Sequence, residues 1–235
     1  MNNYIKHLEE LSTSATLKRK KDYIDYNLKK CFKEIGFKNI KVLEVGPGLG
    51  EFESYLNDRG VVDIDIVDND KSILDYVSRK YQIKRMYLTK DISLTEKKLG
   101  KYDLIFLMQV LEHLPVDKYV ATIQLLYKHL VKGGFLVIVV PNANNPLGLV
   151  ERYGDLQHTG SFTEPSLKDL ITLSGIEDYL MEIKGYEIPP SNLLNLIRIF
   201  LQKILHTILL AIMIINGGLF FKTMTPNLSL IIKKN

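Results

Sequence analysis

Apolar and polar positions along this chain follow two periods, and the switches between them mark its elements. Ile24, Leu28, Cys31, Phe32 and Ile35 recur at three- and four-residue steps, the stripe of an amphipathic helix, so residues 1–37 predict one or two helices closed by Gly36. From about 40 to 46 the pattern becomes a short unbroken apolar run, a buried strand. Val61–Asp68 alternates apolar with acidic residues and predicts a second strand. A helix from Asp70 to about Tyr81, a short strand at Arg85–Leu88 and a fourth strand at Tyr102–Met108 follow. Val116–Val131 predicts a helix closed by Lys132-Gly133-Gly134, a cation and a glycine where helix ends favour them. Phe135–Val140 is the most apolar run and predicts a central strand. Thr163-Glu164-Pro165 has the cap residue and early proline of a helix start, and Tyr179–Tyr186 and Asn227–Ile232 alternate like strands. Strands alternating with helices predict a parallel α/β sheet covered on both faces.

One segment departs from this rhythm. Leu193–Phe221 is almost wholly apolar, and Ile204–Phe221 contains no Asp, Glu, Lys or Arg. Asn195, Arg198, Gln202 and His206 fall three or four apart and draw a narrow polar stripe along it. Asn216-Gly217-Gly218 interrupts the run before it reaches the roughly 20 residues a membrane span needs, and a span would prevent the following strand from returning to the sheet. The segment therefore predicts a helical hairpin at 191–222. It either packs on the domain, pairs with a second copy, or lies on a membrane surface. The division is then an N-terminal helical cap at 1–37, a core at 38–190, the hairpin, and a last core strand at 223–235.

Length and charge narrow the class. The chain has 235 residues, 46% hydrophobic and 25% charged, which fits one α/β domain with an extension. A net charge of +4 is too small to imply nucleic acid, although Lys18-Arg19-Lys20-Lys21 concentrates it locally. A single cysteine, Cys31, excludes an intramolecular disulfide and suits a reducing cytosol. The polar N-terminus has no signal-peptide pattern, so a cytoplasmic location is expected, extending to the inner face of the cytoplasmic membrane if the apolar segment contacts lipid.

The first strand runs into Glu44-Val45-Gly46-Pro47-Gly48-Leu49-Gly50, and Glu51–Leu56 restarts as a helix. A strand, a glycine turn and a helix make a ligand-binding unit in which backbone must lie directly against the ligand. A dinucleotide fingerprint needs a further glycine at position 51, which is Glu51, and no Gly-Lys-Ser/Thr ending of a phosphate loop is present. Asp68 ends the second strand, beside the tip of the first. A carboxylate there either accepts both hydroxyls of a ribose or caps the helix before Lys71-Ser72-Ile73.

The pattern Glu-x-Gly-x-Gly-x-Gly resembles motif I of class I S-adenosylmethionine-dependent methyltransferases. Asp91-Ile92 after the third strand, Tyr102–Phe106 with Gln109-Val110-Leu111-Glu112-His113-Leu114-Pro115, and Leu130–Leu136 with Pro141-Asn142 resemble later motifs of that family, in its order. The resemblance covers residues 40–142. It implies a Rossmann-like, seven-stranded sheet with an antiparallel last strand, and S-adenosylmethionine as cofactor. The cofactor would be held by Glu44, Gly46, Pro47, Gly48, Gly50, Asp68 and its neighbour Asn69, with Asp91 on the adenine amino group, Ile92 on the ring, and Gln109, Val110 and His113 at the methionine end. His113 is equally readable as a buried structural histidine.

The acceptor side rests on the loop Arg152–Thr163 after the fifth strand. A hydroxyl acceptor must lose a proton, and His158 has the chemistry to take it, unless it is a structural histidine ahead of the Phe162-Thr163 helix start. Tyr153 and Asp155 are weaker candidates for acceptor contacts. No His or Cys spacing predicts a metal site. The loop and the apolar segment resemble small bacterial methyltransferases of surface-polysaccharide and lipid-linked glycan synthesis, which implies O-methylation of a sugar in a glycan or glycolipid precursor. A quinone or another lipid-like molecule is the alternative acceptor. A catalytically inactive scaffold that binds partners and a nicotinamide oxidoreductase are alternatives from other classes.

Overall fold

The structure is a computed structural model that describes residues 13–148, 150, 153–218 and 221–235. The expectations for residues 1–12, Arg152, Leu219 and Phe220 lie outside the described residues. Seven strands form one sheet in the order β3-β2-β1-β4-β5-β7-β6. They are β1 (Val42–Val45), β2 (Ile64–Asp68), β3 (Arg85–Leu88), β4 (Tyr102–Met108), β5 (Leu130–Pro141), β6 (Tyr179–Gly185) and β7 (Asn227–Lys234). Strand β7 runs antiparallel to both β5 and β6, and the β1–β5 neighbours are parallel. This is the expected Rossmann-like sheet with its reversed last strand.

The helices cover both faces. Helix α1 (Ser14–Ile35), α2 (Glu51–Asn57) and α3 (Lys71–Lys80) lie on one side, α4 (Tyr119–His129) and α5 (Glu164–Ser174) on the other. In β5, Phe135, Val137 and Val139 feed the first layer while Leu136, Ile138 and Val140 feed the second, which explains the unbroken apolar run. Ile24, Leu28, Cys31 and Phe32 of α1 are buried with Val42, Phe52 and Leu56. Thus α1 is a layer of the core. Thr163 caps α5 with Pro165 in its first turn, as the sequence predicts, and Ser166 completes a reciprocal capping box.

Three expectations change. Strand β2 begins at Ile64, because Val62 is exposed and Asp63 is drawn to Lys84 Nζ at 2.5 Å. The helix predicted over Val116–Val131 starts at Tyr119, after a 3₁₀ turn at Val116–Lys118, and ends at His129. Lys132-Gly133-Gly134 does not close it. These residues sit inside β5, where the partner of Tyr102 is Leu130 but that of Leu104 is Phe135. Gly133 takes φ +79° in this irregular stretch, and a Cβ on Gly134 would crowd three backbone carbonyls, so the glycines serve a bulge. Finally, Leu193–Ile215 is one continuous 23-residue helix, α6, and no second helical arm follows among the described residues. The break at Asn216-Gly217 ends the helix instead of turning it back.

Candidate active site

The tips of β1, β2 and β4 open into a cleft of about 1460 Å³. Its floor is the glycine loop. Gly46, Gly48 and Gly50 have φ of +74°, +55° and +81°, a region that other residues enter at a cost. A Cβ on Gly46 would collide with Val110 Cγ2, and one on Gly50 would enter the Tyr81 ring. At Gly48 a Cβ would meet only Glu51 Oε2, at 3.9 Å, so that backbone faces open cavity. The loop is a cradle whose bare backbone a ligand can approach. Pro47 and Glu44 line it as well.

Behind the loop two carboxyls, Glu44 and Glu53, are buried together. Burial is the main cause that raises Glu44 well above the ordinary range and Glu53 to about 7. Neither Glu53 oxygen has a hydrogen-bond partner among the described residues. A carboxyl whose folded pKa is raised holds its proton better in the folded state, so its contribution to stability is full below about 4.3 and is lost as pH climbs through 7. We expect Glu53→Gln to melt above wild type at pH 8, by something on the order of 1–3 kcal/mol, with the gap closing at pH 4. Paired thermal melts at both pH values check this, and a gap independent of pH would refute it.

At the tip of β2, Asp68 is half-buried on the cleft wall beside exposed Asn69, and burial raises its pKa against the pull of the Asn69 and Asp70 backbone N–H groups. The Asp70 N–H donates to Asp68 Oδ1 at 2.8 Å. Asp70, not Asp68, caps α3, accepting from the Ser72 N–H at 2.7 Å. The structure does not bring Asp91 onto the cleft wall. Its carboxylate caps the 3₁₀ turn Ile92–Thr95 by accepting from the Ser93 N–H at 2.9 Å, and it pairs with Lys118 at 3.1 Å. Those contacts hold its pKa below the ordinary value, the Ser93 hydrogen bonds first. Ile92, Thr89 and Lys90 form the wall instead.

Gln109, Val110 and His113 line the cleft beyond β4. Gln109 has φ +54°, an uncommon conformation for a non-glycine residue, at the strand tip where the chain turns sharply. The 3₁₀ turn Leu111–His113 then buries Glu112 and half-buries His113. The loop after β5 docks on this turn, because the Glu112 carbonyl accepts from the Thr159 N–H at 2.8 Å. Docking sets His158 edge-on to His113, with ring centroids 4.7 Å apart at 65°. Both rings line the cleft, as does Asp155. Burial first, and then His158, lowers the pKa of His113, while burial raises Glu112 to about 7. The ligand atoms of Glu112, His113 and His158 all lie within 4.8 Å of one another, a cluster that residue spacing did not predict because His158 is far along the chain.

The far wall was not foreseen. Arg198 and Gln202, two members of the polar stripe on α6, line the cleft with Arg19 of α1, Tyr186 and Asn227. Tyr23 and Tyr186 stack at 5.9 Å beside it. The stripe was the available signal for Arg198 and Gln202, whereas Tyr186 and Asn227 reach the cleft through the sheet order alone. The rest of α6 is bare: its most apolar 18-residue window has no buried residue, and Leu193, Phe200, Ile208 and Ile215 are each more than half exposed.

The family profile described as a methyltransferase domain matches residues 16–179. No curated protein matches the chain. Among solved structures, it is similar to a SAM-dependent methyltransferase from Archaeoglobus fulgidus, at 20% identity and a TM-score of 0.64, with 99% of this chain and 100% of that one covered. It is similar to the plantazolicin methyltransferase in complex with a triazolic desmethyl analog and SAH (18%, 0.62, 98% and 89%). A third similar structure is magnesium protoporphyrin IX methyltransferase from Synechocystis PCC 6803 with bound SAH (14%, 0.57, 92% and 83%).

Proposed function

The chain belongs to the methyltransferase domain family and uses S-adenosylmethionine as its cofactor, and from that premise we propose that it methylates a sugar hydroxyl in a cell-surface glycan or glycolipid precursor at the inner face of the cytoplasmic membrane. The observation that carries this reading is the two-sidedness of α6. Its polar stripe, with Arg198 and Gln202, walls the cleft, while its remaining surface is exposed hydrocarbon. A lipid-linked acceptor has that same division, a polar reacting end and an apolar tail.

S-adenosylmethionine supplies a methyl group already activated on a positively charged sulfur. The protein then has to hold the two partners in line and take the acceptor's proton. We assign the glycine loop, Glu44, Asp68 and Asn69 to cofactor binding, with Ile92, Gln109, Val110 and His113 on the remaining wall. Asp91 reaches the cofactor's adenine end only if it gives up Lys118. His158, which lines the same cleft as the glycine loop, takes the proton.

Helix α6 lies on the membrane in this reading and does not cross it. At 1.5 Å per residue its 23 residues could span the hydrocarbon core. A crossing helix would put its far end across the membrane from Asn227, where β7 joins the sheet, and the chain would have to return through lipid, where backbone polar groups are costly to leave unpaired. Lying flat avoids this, and brings the exposed Lys203 of the same helix to anionic headgroups, which attract a cation at about 1 kcal/mol. We expect the protein to co-sediment with phosphatidylglycerol vesicles and Phe200→Asp/Ile204→Asp to abolish this. A monodisperse monomer that ignores both anionic and neutral vesicles would end the membrane reading, and a concentration-dependent dimer would move the apolar face to a second copy.

The acceptor is tested by adding labelled S-adenosylmethionine to cell-envelope fractions. Label in the lipid-linked sugar fraction is the expected result. Label in the quinone fraction would favour the second reading, a lipid-like acceptor, which the same apolar helix also suits.

A further inference from the structure

We infer that Glu112, His113 and His158 form a site for a single divalent transition cation, of the zinc or cobalt type, and that the cation withdraws His158 from catalysis. Two imidazoles and a carboxylate are the donor set of borderline cations, and three protein ligands leave a position open to the cleft. The donor atoms all lie within 4.8 Å of one another. Ligand atoms on one such ion are about 3–4 Å apart at bond lengths near 2 Å, so small side-chain rotations close the set.

A second, independent observation points to a ligand. Glu112 is 1% exposed and neither of its carboxylate oxygens has a hydrogen-bond partner among the described residues, and the same holds for His113 Nδ1. Buried polar atoms are normally paired, and leaving one unpaired is costly. Here the unpaired Glu112 carboxylate belongs to the set of donor groups that lie within 4.8 Å of one another, and a cation held by that set would satisfy it. The backbone also holds the set in place: the Glu112 carbonyl accepts the Thr159 N–H, tying the loop that carries His158 to the turn that carries the other two.

Coordination uses a nitrogen lone pair of His158. A histidine bound in that way is a ligand and no longer a proton acceptor, so metal binding and base catalysis exclude one another. Only this last step rests on the reading of His158 as the base; the binding site does not.

The test uses untagged, full-length protein freed of metal with a chelator. Cobalt(II) is titrated and its visible absorption followed, then displaced with zinc. One equivalent should bind with the intensified bands of nitrogen-and-oxygen coordination. His158→Ala, on a surface loop, and Glu112→Gln should each weaken binding by at least about tenfold, the lower end of what even outer-shell changes cost. S-adenosylhomocysteine affinity serves as the control for folding. No cobalt spectrum, or one that survives in both variants, overturns the site. Turnover is measured on the same samples and should fall as zinc fills the site. If cobalt and zinc bind but turnover is unchanged or raised, the cation site stands and His158 is not the base.

Discussion

His158→Ala should lower turnover by about 10²–10⁴-fold while leaving S-adenosylhomocysteine affinity and the melting temperature close to wild type. The expectation comes from placement. His158 lines the cleft with the glycine loop, yet it lies on a partly exposed loop that adds little to the core. Losing it should remove proton acceptance together with its edge contact to the His113 ring. The assay belongs in chelator, so that a bound cation cannot mask the imidazole. A variant that loses affinity or stability in step with turnover would make His158 a structural histidine. Unchanged turnover would remove it from the reaction. His113 is the contrasting substitution: it packs against His158 and has lost basicity through burial, so His113→Ala should disturb the position of His158 as well as cofactor binding.

Strand placement was legible because each core strand is apolar on the face or faces it buries. Strand β5 feeds two layers and reads as an unbroken run, and β4 and β7 landed where their patterns put them. What failed has a common physical cause. Lys132-Gly133-Gly134 has the chemistry of a helix end, but a bulge needs the same positive φ, and only the register between β4 and β5 distinguishes them. Asn216-Gly217-Gly218 likewise announces that a helix stops without saying whether the chain then doubles back. The glycine loop was readable because its demand is local: three glycines at positive φ within one turn. The Glu112–His113–His158 cluster was not, because it forms only when the loop after β5 folds back onto the turn after β4. Asp91 illustrates the limit of a motif. It stands at the expected position, but Ser93 and Lys118 occupy its carboxylate. The polar stripe on α6 was visible, and its meaning depended on what it faces.

The second large effect belongs to the cofactor end, where Asp68→Ala should weaken S-adenosylhomocysteine binding by at least about tenfold, and up to 10³-fold. Two charge-assisted hydrogen bonds to a ribose are worth roughly 1.5–3 kcal/mol each, before water takes up part of the loss, and each 1.4 kcal/mol is tenfold in affinity. The alternative role of Asp68 as a helix cap now has a direct competitor. Asp70 performs that capping through the Ser72 N–H. What Asp68 retains within the fold are hydrogen bonds from the Asp70 and Asn69 backbone N–H groups, contacts whose loss costs about 0.5–1.5 kcal/mol each and leaves the cleft intact. Burial raises its pKa, so some of its ionisation is disfavoured in the free protein, and a ligand that donates two hydroxyl hydrogen bonds recovers it. Binding should therefore weaken further as pH falls through the carboxylate range in wild type, and lose that dependence in Asp68→Asn. Calorimetric titration of wild type, Asp68→Ala and Asp68→Asn at two pH values measures both effects. Equal affinity in a folded Asp68→Ala protein would show that the ribose is held elsewhere.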